Sequence, residues 1–169
     1  MHVSAVKIYC TFYFLLSTFE DMTLQQLKVT QVRQEVNEVI TVKLAPITGS
    51  KPVYKAGQFL TLAFNVGDKE LRRSYSAYSS PLVNEPLAIA VKLVENGEIS
   101  RFLHHSLRAG DIVEVTAPNG MFFYEPEHQK ERTVFLFAAG VGITPLFSIL
   151  KTAFSPWLKN SFTFWTTFK

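Results

Sequence analysis

The feature that most constrains the fold is a series of short segments in which every second residue is apolar. Such alternation predicts β-strands with one buried face, and it extends from about residue 24 to residue 117. Within each segment the apolar positions are all odd-numbered or all even-numbered. They are Ile40, Val42, Leu44, Leu60, Leu62, Phe64, Leu87, Ile89, Val91, Leu93, Val113 and Val115. Turn-forming residues such as Gly49, Pro81 and Gly120 separate the segments. Several short strands at regular intervals predict a closed barrel or a sandwich.

A short helix is predicted to interrupt the strands near residue 100. Ser100 is its expected N-cap, and Gly110 lies just beyond its expected end. The residues expected to face the core are Phe102, Leu103 and Leu107. His104 and His105 lie on the same helix without metal-ligand partners nearby in the sequence. We therefore expect a structural or solvated role for both histidines.

The pattern changes after residue 126. Residues 133–139 form an uninterrupted apolar run, which is typical of a strand buried on both faces of a parallel sheet. Gly140 and Gly142 end this run, and residues 143–154 predict a helix with Pro145 in its first turn. This is one strand–helix unit, whereas a doubly wound sheet needs two linked halves. We therefore expect only the start of a nucleotide-binding α/β domain.

The first 21 residues differ from the rest. The apolar stretch 8–19 is shorter than the roughly 18 to 20 residues that a membrane-spanning helix requires, and no cleavage pattern of small residues follows it. A small membrane-anchored protein is therefore the weakest alternative, and Met22 is an alternative start of the fold. We expect an extension over 1–21, a barrel domain over 22–126 and an incomplete α/β segment over 127–169.

Composition narrows the class of protein. The chain is 47% hydrophobic and 18% charged, which is typical of a chain that builds a core. Its net charge of +3, with scattered Lys and Arg, argues against a nucleic-acid partner and is compatible with anionic cofactors. Cys10 is the only cysteine, so an internal disulfide or an all-cysteine metal site is excluded, and no metal site is expected. A reducing cytoplasm is the expected setting.

The first motif is the stretch of Arg73, Ser74, Tyr75 and Ser76, which combines a cation, an aromatic ring and hydroxyl groups. A guanidinium binds phosphate oxygens, an aromatic ring can lie against a flat ligand, and a serine hydroxyl can bond a ring nitrogen. Alternation places Arg73 and Tyr75 on one face, so a local twist is needed to bring Ser76 to the same ligand. An exposed strand edge is the alternative interpretation.

Two glycine-containing turns complete the pattern. Residues 97–100 predict a helix start, whose free amides and positive dipole end attract a pyrophosphate, although a plain loop with a helix cap is the alternative. Residues 140–145 stand between a strand and a helix, as a dinucleotide site requires. They lack the third glycine and the downstream acid of the usual fingerprint, so a tight turn is the alternative.

In this order and spacing, the motifs resemble those of the ferredoxin–NADP reductase family of FAD- and NAD(P)-dependent oxidoreductases. The resemblance implies an all-β antiparallel Greek-key barrel with one short helix that binds FAD, followed by an α/β domain, here incomplete, that binds NAD(P)H. It implies that Arg73 contacts the flavin pyrophosphate, that Tyr75 packs on the isoalloxazine, and that Ser76 is the catalytic neighbour of flavin N5. The other cofactor-binding residues that it implies are Ser74, Ala90, Val91, Lys92, Gly97, Ile99, Ser100, Gly140, Gly142 and Thr144.

The resemblance is closest to reductases that supply oxygenases. It implies a reductase component that passes electrons from NAD(P)H through FAD to an iron–sulfur protein, an oxygenase or another one-electron acceptor. Cluster-binding cysteines and the later strands of the nucleotide domain are not found in the sequence. The alternative is therefore a non-enzymatic flavin-binding module or an inactive fragment of such a reductase. The residues do not distinguish NADH from NADPH.

Overall fold

The computed structural model describes residues 24–36, 38–66, 68–125 and 136–155. The expectations for residues 1–21 and 133–135, and for the residues after 155, concern positions outside these ranges. The elements are β1 (Gln25–Val36), β2 (Val39–Pro46), β3 (Phe59–Val66), β4 (Lys69–Ser76), β5 (Leu87–Lys92), α1 (Glu98–His105), β6 (Ile112–Val115) and α2 (Ile143–Ala153). A 3-10 turn, Gly140–Gly142, immediately precedes α2, and we call it the glycine turn.

The six strands form one antiparallel sheet in the order β4-β3-β6-β1-β2-β5. The sheet closes where Ala77 forms a bridge with Ile89 and the Tyr78 N–H donates to the Ala88 carbonyl at 2.7 Å. Strands β3, β4 and β5 are therefore successive neighbours, and β6 returns to lie beside β3. This is a Greek-key arrangement, so the predicted all-β antiparallel barrel is confirmed.

Alternation along the strands builds the core. The register places Val42 of β2 between Val32 of β1 and Ile89 of β5, so that apolar residues of neighbouring strands share one face. Every apolar position predicted from the alternation is buried, except Phe64 and Leu93, which are half-buried. Removing this surface from water, at roughly 25 cal/mol per Å², is the main force that stabilises the barrel.

Helix α1 begins earlier than the sequence predicts. Its N-cap is Gly97, and Ser100 is the third residue of its first turn, so the prediction of Ser100 as N-cap is wrong. The Ser100 hydroxyl instead accepts a hydrogen bond from the Val94 N–H at 3.1 Å and donates to the Gly97 carbonyl at 3.1 Å. The loop before the helix therefore uses the hydroxyl that a cap would have used.

The inward face and the end of α1 differ in part from expectation. Leu103 and Leu107 are buried as predicted, but Phe102 is 45% exposed. Its ring packs edge-on against the half-buried Phe64, with centroids 5.8 Å apart, instead of entering the core. The helix ends at His105, and Gly110, with φ of +106°, lies in the turn into β6 and not at the helix end.

The segment before α2 corrects another prediction. Residues 136–139 are not in a strand, and Phe137 is 88% exposed. A run that is buried on both faces needs neighbours on each face, and among the described residues no strand lies beside this one. The helix itself is confirmed, with Pro145 in its first turn, and it ends at Ala153. In the described part of the chain, no helix has the length and apolar character needed to cross a membrane.

Candidate functional site

Strand β5 brings the three sequence motifs together. The end of β4, helix α1 and the glycine turn all contact β5. Because the bridge from Ala77 to Ile89 is antiparallel, Ser76 comes next to Ala90, and the path back along β4 runs beside β5 toward α1. We call this region the seam site. It comprises residues 73–76, 90–92, 97–100 and 140–144.

Arg73 is an exposed cation at the seam site. One of its terminal nitrogens donates to the Arg72 carbonyl at 2.7 Å, and within the described ranges it has no carboxylate partner. Two other arginines of the strands are paired with carboxylates, Arg33 with Glu35 and Arg72 with Glu70. The Arg73 guanidinium therefore keeps most of its five N–H donors for an anionic ligand.

Tyr75 lies opposite Leu60 in the register and packs against the barrel core while remaining half-buried. Burial raises the pKa of its phenol to about 12, although the nearby positive charge of Arg73 acts in the opposite direction. The side chain is therefore neutral at any physiological pH. It presents an uncharged aromatic surface at the strand end.

The two serines of the first motif have different surroundings. Strand β4 pairs residue by residue with β3, so the predicted alternation is retained, and both serines lie on the face opposite Tyr75. The Ser74 hydroxyl is 2.8 Å from the hydroxyl of the buried Thr61. The half-buried Ser76 hydroxyl has no hydrogen-bond partner among the described residues. Ser76 therefore has a hydroxyl with no competing partner among the described residues, whereas the Ser74 hydroxyl is already bonded to Thr61.

The start of α1 presents unpaired amides. The first helical hydrogen bond runs from the Arg101 N–H to the Gly97 carbonyl at 3.0 Å, so the N–H groups of residues 98–100 precede it and have no partner in the described structure. Ile99 and Ser100 are buried as whole residues, whereas Glu98 is exposed, so the accessible edge of this helix start lies at its first residue. Gly97 has no room for a side chain, because a Cβ would lie 2.5 Å from the Ser100 hydroxyl oxygen.

The predicted residues of β5 divide between core and surface. Ala90 is half-buried and Lys92 is exposed, with its Nζ 3.5 Å from the Glu38 carboxylate. Val91 is fully buried, and its carbonyl accepts a hydrogen bond from Nε2 of His104 at 3.0 Å. This bond gives His104 the structural role that the sequence predicts, and it means that Val91 supports the site from within.

The glycine turn is open to solvent. Gly140 has φ of +54°, and a Cβ added at Gly140 or Gly142 would meet nothing within 4 Å. Thr144 is buried, and its hydroxyl donates to the Val141 carbonyl at 3.0 Å. The backbone on this side of β5 is therefore accessible to a ligand.

Sequence reasoning missed the contact between α2 and the barrel. The Ser148 hydroxyl donates to the Ser79 carbonyl at 2.6 Å, and the Thr152 and Ser80 hydroxyls are 2.8 Å apart. The rings of Tyr78 and Phe147 stack with centroids 4.8 Å apart, and Lys151 pairs with Glu85 at 2.7 Å. A signal existed in the sequence, since Thr144, Ser148 and Thr152 recur every four residues and so share one helix face.

Two cavities lie outside the seam site. One, of about 410 Å³, is lined by β3, β6 and α1, including Phe64, Phe102 and Ile112. The other, of about 240 Å³, includes Lys51, Tyr54 and Glu85. No group of three or more metal-binding side chains occurs in residues 24–125 and 136–155 as far as the structure describes them. Neither cavity is lined by a residue of the seam site.

Known proteins are similar to this chain in sequence and in fold. The chain is 34% identical over 143 residues to one of the subunits of 1,2-phenylacetyl-CoA epoxidase from Escherichia coli, and the match covers 83% of this chain and 40% of that protein. Its fold matches the FAD/NAD-binding domain of nitric oxide dioxygenase from Vibrio cholerae, with a TM-score of 0.66, 31% identity, and coverage of 75% of this chain and 55% of that one. It also matches phthalate dioxygenase reductase, with a TM-score of 0.66, 28% identity, and coverage of 79% and 40%.

The chain thus spans about two fifths to about half of the length of these relatives. The family of oxidoreductase FAD-binding domains matches residues 26–124, which include the whole barrel from β2 to β6 and most of β1. This confirms the predicted resemblance to ferredoxin reductase-like flavoproteins and the prediction of FAD as cofactor. The chain belongs to the oxidoreductase FAD-binding domain family.

Proposed function

We propose that this chain is the flavin-binding part of a reductase that takes electrons from NAD(P)H and passes them to an iron–sulfur protein, an oxygenase or another one-electron acceptor. One observation carries the proposal: the three motifs, distant in sequence, meet on β5. The exposed Arg73, the unpaired amides of residues 98–100 and the unpartnered Ser76 hydroxyl are the polar groups that this junction of described residues leaves for a ligand.

These groups fit FAD. Arg73 and the amides at the start of α1 provide charge and hydrogen-bond donors for a pyrophosphate. Tyr75 offers an aromatic surface to the isoalloxazine. Ser76 lies on the opposite face of β4 but is its last residue, so the proposed contact of its hydroxyl with a ring nitrogen is made at the end of the strand, next to Ala90 and Lys92 on β5. When bound, FAD accepts a hydride and releases electrons singly. The residues of the chain hold and orient it.

The glycine turn is the proposed approach for the nicotinamide. Gly140 and Gly142 leave the backbone bare, and Thr144 lies at the point where the turn meets α2, beside β5. A substrate held there would be close to the part of the seam site that contains Ser76 and Ala90. The proposed role of the turn is to orient the nucleotide against the flavin.

The relatives support the class of acceptor. One belongs to an epoxidase, and another is a reductase described as transferring electrons from pyridine nucleotides to [2Fe-2S]. We infer an oxygenase or iron–sulfur acceptor for this chain and a cytoplasmic setting. The alternative, a flavin-binding module that does not react with nicotinamide nucleotides, is favoured by the exposed, non-strand segment 136–139.

Titration with FAD tests the proposal. We expect the purified chain to bind FAD, with quenching of flavin fluorescence, and NADH or NADPH to bleach the bound flavin under anaerobic conditions. A folded chain that binds no FAD would refute the proposed function. A chain that binds FAD but is not reduced by either nucleotide would support the non-enzymatic module.

A further inference from the structure

The geometry points to a set of positioning residues, on α2 and on the barrel segment that it contacts, which fix the glycine turn relative to the end of β4. We call this set the α2 latch. It consists of Tyr78, Ser79, Ser80 and Glu85 on the barrel and Phe147, Ser148, Lys151 and Thr152 on α2. The inference rests on the proposed function, because the latch is assigned the task of holding the nicotinamide-facing turn at a set distance from Ser76.

The buried face of α2 is built from three hydroxyl side chains and Ile149. Thr144, Ser148 and Thr152 are spaced by four residues, so they lie on one side of the helix, and all three are buried. A buried hydroxyl without a partner costs free energy, and here Ser148 and Thr152 both bond to the barrel segment 79–80. Such directional bonds fix the axial position of a helix more narrowly than apolar contacts do.

A partly buried ion pair adds to these bonds. One carboxylate oxygen of Glu85 accepts from both the Lys151 ammonium and the Ser80 N–H, each at 2.7 Å. The Lys151 side chain is only 13% exposed, and its Nζ lies 4.7 Å from the Tyr78 ring centroid and 5.1 Å from that of Phe147. Lys151 is thus held by a carboxylate and two aromatic rings together.

The latch connects directly to the end of β4. Segment 77–80 follows Ser76 without a gap, and it closes the barrel through the bonds of Ala77 and Tyr78 to β5. The Ser79 hydroxyl accepts from the Ala88 N–H at 2.9 Å, which ties the same segment to β5 a second time. A shift of α2 on this segment would therefore move Thr144 and the glycine turn relative to Ser76, and misplacement by about 1 Å costs roughly 10²-fold in rate.

Replacing Lys151 tests the latch. In Lys151→Met we expect FAD affinity to stay within about twofold, the amides of residues 143–153 to exchange with solvent on the order of tenfold faster, and flavin reduction by NAD(P)H to slow by roughly 10- to 100-fold. Lys55→Met is the matched control. Lys55 also sits over an aromatic ring, 4.2 Å from the centroid of Phe123, and pairs with Glu125 at 2.8 Å, but it is exposed and neither of these partners lies on α2.

Two variants of Thr152 distinguish loss of the latch from a general folding defect. Thr152→Val removes the hydroxyl and should reproduce the Lys151→Met pattern, whereas Thr152→Ser keeps the hydroxyl and should restore exchange and reduction to within about twofold of wild type. Unchanged exchange in Lys151→Met and Thr152→Val, or faster exchange without slower reduction, would overturn the inference.

The two proposals fail in different ways. Wild-type chain that binds no FAD, or whose bound flavin is not reduced, removes the proposed function and with it the positioning task of the latch. If Lys151→Met and Thr152→Val are reduced at the same rate as the wild type, the proposed function stands and only the positioning role of the latch is refuted. The exchange measurement needs no nucleotide, so it reports the docking of α2 in either case.

Discussion

The seam site and the α2 latch both contain cations and hydroxyl groups, but among the described residues Arg73 and Ser76 at the seam site lack the partners that their counterparts in the latch have. Arg73 and Ser76 at the seam site have, respectively, no carboxylate and no hydrogen-bond partner within the described structure, whereas Lys151 and Ser148 in the latch have both charge and hydroxyl satisfied. Buried polar groups need hydrogen-bond partners within the protein, whereas exposed polar groups can be hydrogen-bonded by water until a ligand binds. The comparison therefore separates ligand-facing residues from structural residues of identical type.

Solvent exposure accounts for the difference between the two cations. Burial lowers the pKa of Lys151, and the Glu85 carboxylate acts against that shift and holds the proton in place. A charge at that depth is tolerated because a partner is present. Arg73 keeps its hydration at the surface, so it needs no carboxylate, and its charge remains available to phosphate oxygens.

The largest expected effect comes from Gly57, which lies beneath the latch. Its φ is +104°, and a Cβ there would be 2.5 Å from the Phe122 carbonyl oxygen and 3.2 Å from Cδ1 of Ile149 on α2. We expect Gly57→Ala to lower the free energy of unfolding by about 3 kcal/mol or more, because neither backbone can move freely. Gly110→Ala, with φ of +106° and open space, should cost about 1–2 kcal/mol. Equal losses in denaturant unfolding would contradict the crowding argument.

Arg73→Ala tests the seam site and should have the next largest effect. Losing a charge-assisted hydrogen bond to the pyrophosphate should cost about 1.5–3 kcal/mol of FAD affinity, or about one to two powers of ten in Kd. Arg72→Ala is the matched control, because Arg72 pairs with Glu70. Affinities for FAD, FMN and riboflavin would be measured by flavin fluorescence after circular dichroism has shown that each variant is folded.

Riboflavin has no phosphate, so Arg73→Ala should leave its affinity unchanged. An equal loss for riboflavin and FAD would refute the phosphate role of Arg73. A loss for FMN as large as that for FAD, with FMN bound more tightly by the wild type, would instead assign FMN as the preferred flavin.

The barrel could be predicted from the sequence because alternation is a local signal. The burial of Ile40, Val42 and Leu44 can be predicted from the residues next to each of them in the sequence, and the same holds for the other strands. The cap of α1 was predicted wrongly because Ser100 bonds to the amide of Val94, and a choice between two nearby partners is not visible in residue type.

The sequence predicts which residues form the candidate site, but it does not predict which of their side chains already have hydrogen-bond partners. The sequence identifies Arg73 and Ser76 by chemical type, yet only the fold shows that, among the described residues, Ser74 is occupied by Thr61 and Ser76 is not. The latch was missed because it joins segments some 70 residues apart through hydroxyl side chains. Serine and threonine are mostly exposed in proteins, so their type does not predict a buried contact. The strand expected over 133–139 was wrong in its described part because an apolar run signals burial only where neighbouring strands cover it.

Alkaline titration compares the two regions through a tyrosine in each. Burial raises the pKa of both Tyr75 at the seam site and Tyr54 next to the latch to about 12, and the Tyr54 shift is opposed by its hydrogen bond to Ser79. Both values exceed the unfolded value of 10. The stability that the neutral phenols contribute is therefore complete below pH 10 and is lost as pH rises toward 12.

The loss should be on the order of 1 kcal/mol per tyrosine, after discounting for partial solvent exposure. Unfolding by denaturant at several pH values would measure it, and phenolate absorbance would report the titration. Tyr75→Phe should retain more of its stability in this window than the wild type does. A wild-type chain whose stability is constant from pH 10 to 12 would show that neither phenol is protected.

The smallest expected effect separates the two serines of one strand. Ser76→Ala should weaken binding of FAD, FMN and riboflavin alike by about 0.5–1.5 kcal/mol, because the ring nitrogen that the hydroxyl would bond is common to all three. It should leave the free energy of unfolding unchanged, since the Ser76 hydroxyl has no partner among the described residues. Ser74→Ala should do the reverse: it removes the 2.8 Å bond to Thr61, so it should cost about 1 kcal/mol of stability and no flavin affinity. Flavin titration and denaturant unfolding of both variants give four values, and an affinity loss confined to Ser74→Ala would exchange the roles assigned to the two hydroxyls.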